Sequence, residues 1–217
     1  MDISSDSVAA EERERRVQQP LARAMVQTAR ELMGQYGVAG VTVRAIQSAT
    51  PGSTQGKSAA PGSLHYYFGS RERVLIEVLR ADVQDRLCVL AESLTQVACS
   101  EQLLDALYEA LDTFVAQAPS RHAIVVELVG EALRNPQLAG AQAALYDDWR
   151  AECTAMLQRL EQRGVVALRG RAAQVAELIT AIAQGLAIQQ QTNALWDRRP
   201  ALAFTGELLR EALQSPR

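Results

Sequence analysis

Apolar residues recur along nearly the whole chain at intervals of three and four, and β-branched residues never alternate with polar ones for long. The pattern therefore predicts helices throughout and an all-α fold. Residues 1–19 are polar and charged with no periodic apolar face and read as a flexible arm. Pro20 is well placed as a first helical residue, and Leu21, Met25, Ala29, Leu32 and Tyr36 follow at helical spacing until Gly37 supplies a left-handed stop. Thr42 is a good N-cap for a short second helix with Val43, Ile46 and Ala49 on one side, which Pro51-Gly52 ends. A third short helix has Pro61 in its first turn and runs to Phe68, closed by Gly69. Ser70 caps a long fourth helix with Leu75, Val78, Leu79, Val83, Leu87, Leu90 and Leu94 in one apolar stripe.

Further helices follow with few loops. Ser100 opens one through Leu104, Leu107, Leu111 and Phe114 that Pro119 stops. Ser120 opens another, apolar almost all round at Ile124, Val125, Val126, Leu128, Val129 and Leu133 and so expected at the centre of the body, ended by Asn135-Pro136. A long helix with Leu145, Trp149, Cys153, Met156 and Leu160 on one side ends at Gly164. The next carries Val175, Leu178, Ile179, Ile182 and Leu186, and the last runs from about Pro200 to Leu213.

Composition narrows the class. At 217 residues the chain can hold one sizeable core or a small domain joined to a larger one. Its apolar runs are all shorter than the roughly 18 residues a membrane span requires. Asp2, Asp6, Glu11 and Glu12 stand where a signal peptide would be basic, so a cytoplasmic location is expected. Cys88, Cys99 and Cys153 are odd in number and lack metal-type spacing, which suits reduced thiols buried as small hydrophobes. The net charge is −3, yet Arg13 to Arg80 holds ten basic residues against four acidic ones. A basic head on an acidic body suits a phosphate-binding module, although the same charges would also suit solvated helix faces.

Two short helices after a first helix, the second rich in hydrogen-bonding side chains, suggest a helix-turn-helix. A recognition helix needs small residues at its N-terminal end for close approach to the major groove, and donors along its exposed face. Gly62 and Ser63 meet the first need, His65, Tyr66 and Tyr67 the second, while Leu64 and Phe68, four apart, can pack inward. Aromatics at helical spacing are more often core, and Phe68 fits that; three polar-tipped rings in a row cannot all face one core.

Thr42-Val43-Arg44-Ala45-Ile46, then Pro61-Gly62-Ser63-Leu64-His65-Tyr66-Tyr67-Phe68-Gly69-Ser70-Arg71-Glu72 and Val74-Leu75, resemble the DNA-binding head of the TetR family of bacterial transcriptional regulators. The resemblance implies DNA-contacting roles for Thr42, Arg44, Gly62, Ser63, His65, Tyr66 and Tyr67, and a phosphate contact for Arg71 at the start of helix four. Glu131-Ala132-Leu133-Arg134-Asn135-Pro136, with Leu145-Tyr146 and Trp149-Arg150, is similar to ligand-binding bodies of the family. One departure stands out. About three or four residues normally join the two helices of the motif, whereas eleven, Thr50 to Ala60, separate them here. Ala49-Thr50-Pro51-Gly52-Ser53 resembles Ala59-Ala60-Pro61-Gly62-Ser63, as a local duplication would leave it.

Gly52 to Gly56-Lys57-Ser58 comes near a phosphate-binding loop but has three residues between its glycines where four are needed, and no strand precedes it. Lys57 is better read as a contact to a DNA phosphate. An enzyme finds little support: the histidines are His65 and His122, and neither a Glu-x-x-His nor a His-Glu-x-x-His pair occurs. No metal or cofactor is expected. In the body, Phe114, Val125, Leu128, Val129, Tyr146, Trp149, Cys153, Met156, Ile182 and Gln189 could enclose an apolar cavity with polar tips, a cavity that the resemblance implies and that ordinary core packing would also explain. The pair 141–163 and 171–193 carries enough apolar surface for a four-helix dimer interface.

These readings predict an arm, a helix-turn-helix head over 20–68 with an inserted loop at about 50–60, and a ligand-binding, dimerising body over 69–217. The expected protein is a homodimeric regulator, a repressor of a palindromic operator released by a small molecule. The alternative is a helical small-molecule-binding dimer whose inserted loop has cost it DNA binding.

Overall fold

A computed structural model describes residues 17, 19–52, 58–116, 118–193 and 195–213, with the side chains of 118–124 and 212 left aside. The fold is all-α. Its helices are α1 Pro20–Gly40, α2 Val43–Ala49, α3 Ser63–Phe68, α4 Arg71–Thr95, α5 Ser100–Ala116, α6 Ala118–Ala132, α7 Pro136–Gln162, α8 Ala172–Thr192 and α9 Arg199–Leu213. The backbone divides into two compact units, one of residues up to Ala81 with Glu127–Ala141, the other of Asp82–Val126 with Gln142 onward.

In the first unit α1 packs on α2 and α3, which also pack on each other. The buried stripe of α1 is Ala22, Met25, Ala29 and Met33, spaced three, four and four apart. That register leaves Leu32 half-buried and Tyr36, expected in the stripe, 65 % exposed. Gly37 has φ 69°, the left-handed break anticipated for it, and α1 resumes briefly to Gly40. In α2 Ile46 is fully buried, but Ala49 is exposed and Thr50 takes the inward place instead, its hydroxyl donating to the Ile46 carbonyl at 2.7 Å. Thr50 then starts a closed stem. Its carbonyl accepts from Ala59 N at 2.9 Å, Pro51 and Ser58 form an antiparallel bridge, and Ala59 is buried. Pro61 lies in the turn ahead of α3, which begins at Ser63. Asn135 caps α7, its Oδ1 accepting from Gln137 N at 3.1 Å and Leu138 N at 3.3 Å.

In the second unit α5 packs against α8 and α9. The larger core gathers Leu87 and Leu94 of α4, Leu103 and Leu107 of α5, Met156, Leu157 and Leu160 of α7, Val175 of α8 and Leu209 of α9. A smaller cluster joins Leu111, Val115, Leu186, Ala187 and Leu202, with Phe114, Ile182 and Trp196 against it. Arg198 ties the start of α9 to Asp112 at 2.7 Å, and Arg163 donates to the Val97 carbonyl at 2.7 Å. Pro119 falls in the first turn of α6 rather than after a stop. The expectation that α6 is buried all round is corrected: Leu128 and Ala132 are buried, whereas Val126, Val129 and Leu133 remain exposed. Among the described residues, large exposed apolar side chains also occur at Leu178 and Ile188 on α8 and at Phe204 and Leu208 on α9, and at none on α7.

Candidate functional site

The short helix α3 is built to show one face. Gly62, with φ 84°, starts it in a conformation that a side chain would strain, and Gly69, with φ 79°, ends it. Leu64 and Phe68 are buried beneath it. His65 and Tyr66 are exposed, with Tyr66 at 59 %, and Tyr67 is half-buried, its ring edge-on to Tyr66 at 4.9 Å. The Ser63 hydroxyl donates to the Ala60 carbonyl at 2.6 Å, and His65 Nδ1 donates to the Gly69 carbonyl at 2.6 Å, which fixes the ring of this exposed residue. Thr42 caps α2 by accepting from Ala45 N at 3.1 Å, and Arg44, two residues on, is exposed.

Arg71 is turned inward. Its Nε donates to the Val41 carbonyl at 2.5 Å and its Nη2 to the Val38 carbonyl at 2.6 Å. The Val38 N–H is itself held at 2.5 Å by the Glu127 carboxylate, whose oxygen would lie 3.0 Å from a Cβ at Gly37. The end of α1 is thus gripped at both backbone groups of one residue, Val38. At the start of α4, Ser70 accepts from Arg73 N at 3.3 Å, and Glu72 is held below its usual range by a backbone hydrogen bond, then by Ser70 and Arg71.

The second unit contains a polar group set against aromatic rings. Arg86 Nε donates to Asp82 at 2.6 Å, and the guanidinium lies 4.4 Å over the Phe114 ring. Burial pushes the Tyr146 phenol above its usual range, against smaller opposing pulls from Gln142 and the Arg86 charge. Trp149 Nε1 donates to Thr180 Oγ1 at 3.0 Å, and Thr180 donates on to the Ala176 carbonyl. Burial also pushes the Cys153 thiol up to about 12, with Glu152 adding to the effect.

Residues 100–214 match the family model for the C-terminal domain of BetI-type transcriptional repressors, a TetR-family domain. The chain belongs to the TetR family. It is 25 % identical over 121 residues to the HTH-type transcriptional regulator UidR of Escherichia coli (strain K12), a match that spans 56 % of each chain. Its fold is that of Salmonella enterica GusR, 22 % identical, with a TM-score of 0.68, over 92 % of this chain and 100 % of the other. A Saccharomonospora viridis protein in complex with choline is similar at 21 % identity and a TM-score of 0.61, covering 89 % of this chain and 97 % of that one.

In this TetR-family chain the residues read as DNA-facing lie in or beside the packed helices α2 and α3 of the first unit: Thr42, Arg44, Gly62, His65 and Tyr66 are exposed, and Ser63 and Tyr67 half-buried. Lys57 lies outside the described residues. The candidate pocket residues are dispersed. Cys153 and Met156, with Trp149 against them, belong to the larger core, Phe114 and Ile182 flank the smaller one, Leu128 is buried in the first unit, Val125 is half-buried, and Val129 and Gln189 are exposed. Sequence reasoning passed over Asp82, Arg86, Gln142 and Thr180 of the second unit, and Glu127 of the first. Arg86 could have been found as one of an i, i+4 charge pair set into an apolar stripe. Nothing local marks Glu127.

Proposed function

We propose that this TetR-family chain is a sequence-specific, DNA-binding transcriptional regulator, most simply a cytoplasmic repressor. Its head, over 20–68, reads a palindromic operator as a homodimer, and its body, over 69–217, takes a small-molecule effector. The observation that carries the reading is the presented face of α3, where Gly62, His65 and Tyr66 stand exposed over buried Leu64 and Phe68. The stem that joins Thr50 to Ala59 supports it further, because an insertion pinched shut at its base returns the chain to α3 much as a short turn would. Dimer formation is supported by the row Leu178, Ala181, Gly185 and Ile188 on α8, where small residues between two exposed apolar ones allow close helix approach. Two heads related by a two-fold axis must present their recognition helices about 34 Å apart. An effector favouring a body conformation with another spacing lowers operator affinity by population shift.

Binding selection on random duplexes, followed by mobility shift, tests this. Enrichment of a palindrome bound by the native chain and weakened by Tyr66→Ala is expected. No enrichment, with DNA binding appearing only when residues 52–57 are deleted, would instead make the chain a ligand-binding dimer that has lost DNA recognition. The choline of the Saccharomonospora viridis structure makes a quaternary ammonium one effector class to include in release assays.

A further inference from the structure

The second unit contains a buried donor that lacks an acceptor among the described residues. Gln142 is 7 % exposed, and its Nε2 has no hydrogen-bond partner among the described residues, a costly state for a buried amide. Tyr146 lies one turn further along the same face of α7, and Gln142 pulls its phenol down as an amide N–H facing the phenol oxygen does, although the pair does not close into a hydrogen bond; the Arg86 charge pulls the same way. Nε is the one nitrogen of Arg86 with an acceptor among the described residues, Asp82, which leaves the terminal pair of the fork for another. With burial holding the phenol protonated, the Tyr146 hydroxyl is a donor as well.

We propose that Gln142 Nε2, the Tyr146 hydroxyl and the terminal nitrogens of Arg86 form the recognition site for an effector bearing a carboxylate. The site rests on the reading of the body as the effector domain. A planar fork and an amide donor are together the groups that match the two oxygens of a carboxylate. Asp82 offsets the single charge of Arg86, so the set has no net positive charge and, holding its ligand by hydrogen-bond donors, suits a monoanion rather than a doubly charged phosphate. A quaternary ammonium is disfavoured there because the Arg86 guanidinium occupies the Phe114 face that would hold it and repels a second cation.

Calorimetry on the full chain with butyrate, hexanoate, benzoate and cyclohexanecarboxylate tests the site, each acid beside its primary amide and the trimethylammonium compound of the same skeleton. At least one carboxylate should bind saturably and about tenfold or more tighter than its two analogues, and Gln142→Met or Arg86→Lys should weaken it by about tenfold or more. Gln142→Met removes an unpaired amide at similar volume, so the unliganded protein should melt at the same or a higher temperature, which separates lost recognition from misfolding. The proposal is overturned if a trimethylammonium compound or an amide binds tightest, if no carboxylate binds saturably at millimolar concentration, or if Gln142→Met leaves carboxylate affinity unchanged. Operator release is read separately. A carboxylate that binds without releasing DNA keeps the site and removes the effector role, whereas release by a cation unaffected by Gln142→Met keeps the regulator and removes the site.

Discussion

Arg71 shows how one side chain can hold the end of a helix that it does not belong to. Two of its nitrogens are on the Val38 and Val41 carbonyls, so its reach toward solvent is limited, and its side chain is 22 % exposed. Arg71→Ala should lower unfolding free energy in urea by about 2 kcal/mol, since each unpaired, partly buried carbonyl costs about 1–3 kcal/mol before water intervenes. Arg71→Lys keeps the charge and loses the fork, so it should recover less than half of that loss. A residue acting only on DNA phosphate would leave stability unmoved and let lysine restore operator affinity. Cys153 makes a second case. Its folded value of about 12, against an ordinary 9.0, keeps it neutral at pH 8, while Cys88 and Cys99 are exposed. Iodoacetamide at pH 8 should therefore modify Cys88 and Cys99 in the native protein and Cys153 only after denaturant is added. Since the unfolded thiol ionises first, stability should fall as pH rises from 9.0 toward 12.

Among the helices, periodicity was a faithful guide to the buried face of α4, whereas Tyr36 of α1, Ala49 of α2 and Leu178 of α8, read into apolar stripes, are exposed. The stripe of α4 behaves as read, with Leu75, Val78, Leu79, Leu87 and Leu94 buried. Capping was legible at Thr42 and Ser70, which act on residues three positions away, whereas Asn135, read as the end of α6, proves to cap α7. The Glu127 grip on Val38 was not legible, since its partners lie 89 residues apart and no local pattern joins them. Nor was the spread of the pocket candidates: an apolar residue on a helix face has the same spacing whether it fills a core or lines a cavity. Gly62 is where local chemistry and the presented face meet. Gly62→Ala forces a side chain into left-handed backbone, at about 1–2 kcal/mol. That cost falls on a helix of 6 residues, so operator affinity in a mobility-shift titration should drop by about fivefold or more.

For the whole chain, the division of labour depends on where apolar surface is left uncovered. The expected dimer pair was 141–163 with 171–193; among the described residues α7 shows no large exposed apolar side chain, whereas α8 shows Leu178 and Ile188 and α9 shows Phe204 and Leu208. Leu178→Glu or Ile188→Glu should convert the dimer to a monomer in sedimentation velocity while leaving helicity by circular dichroism unchanged, and operator affinity should fall with it, because a single head holds only one half-site. A matched charge placed on α7, as in Ala151→Glu, should leave the assembly state alone.

The stem at Thr50 and Ala59 separates the length of the connection from the placement of the helices it joins. With the base closed by the Ala59 N to Thr50 carbonyl bond and the Pro51–Ser58 bridge, residues beyond it can be added or removed at little free-energy cost, about 0.6 kcal/mol for each doubling of loop length. A short epitope inserted between Gly52 and Ser58 should therefore leave α3 in its seat, which makes this connection a natural insertion port.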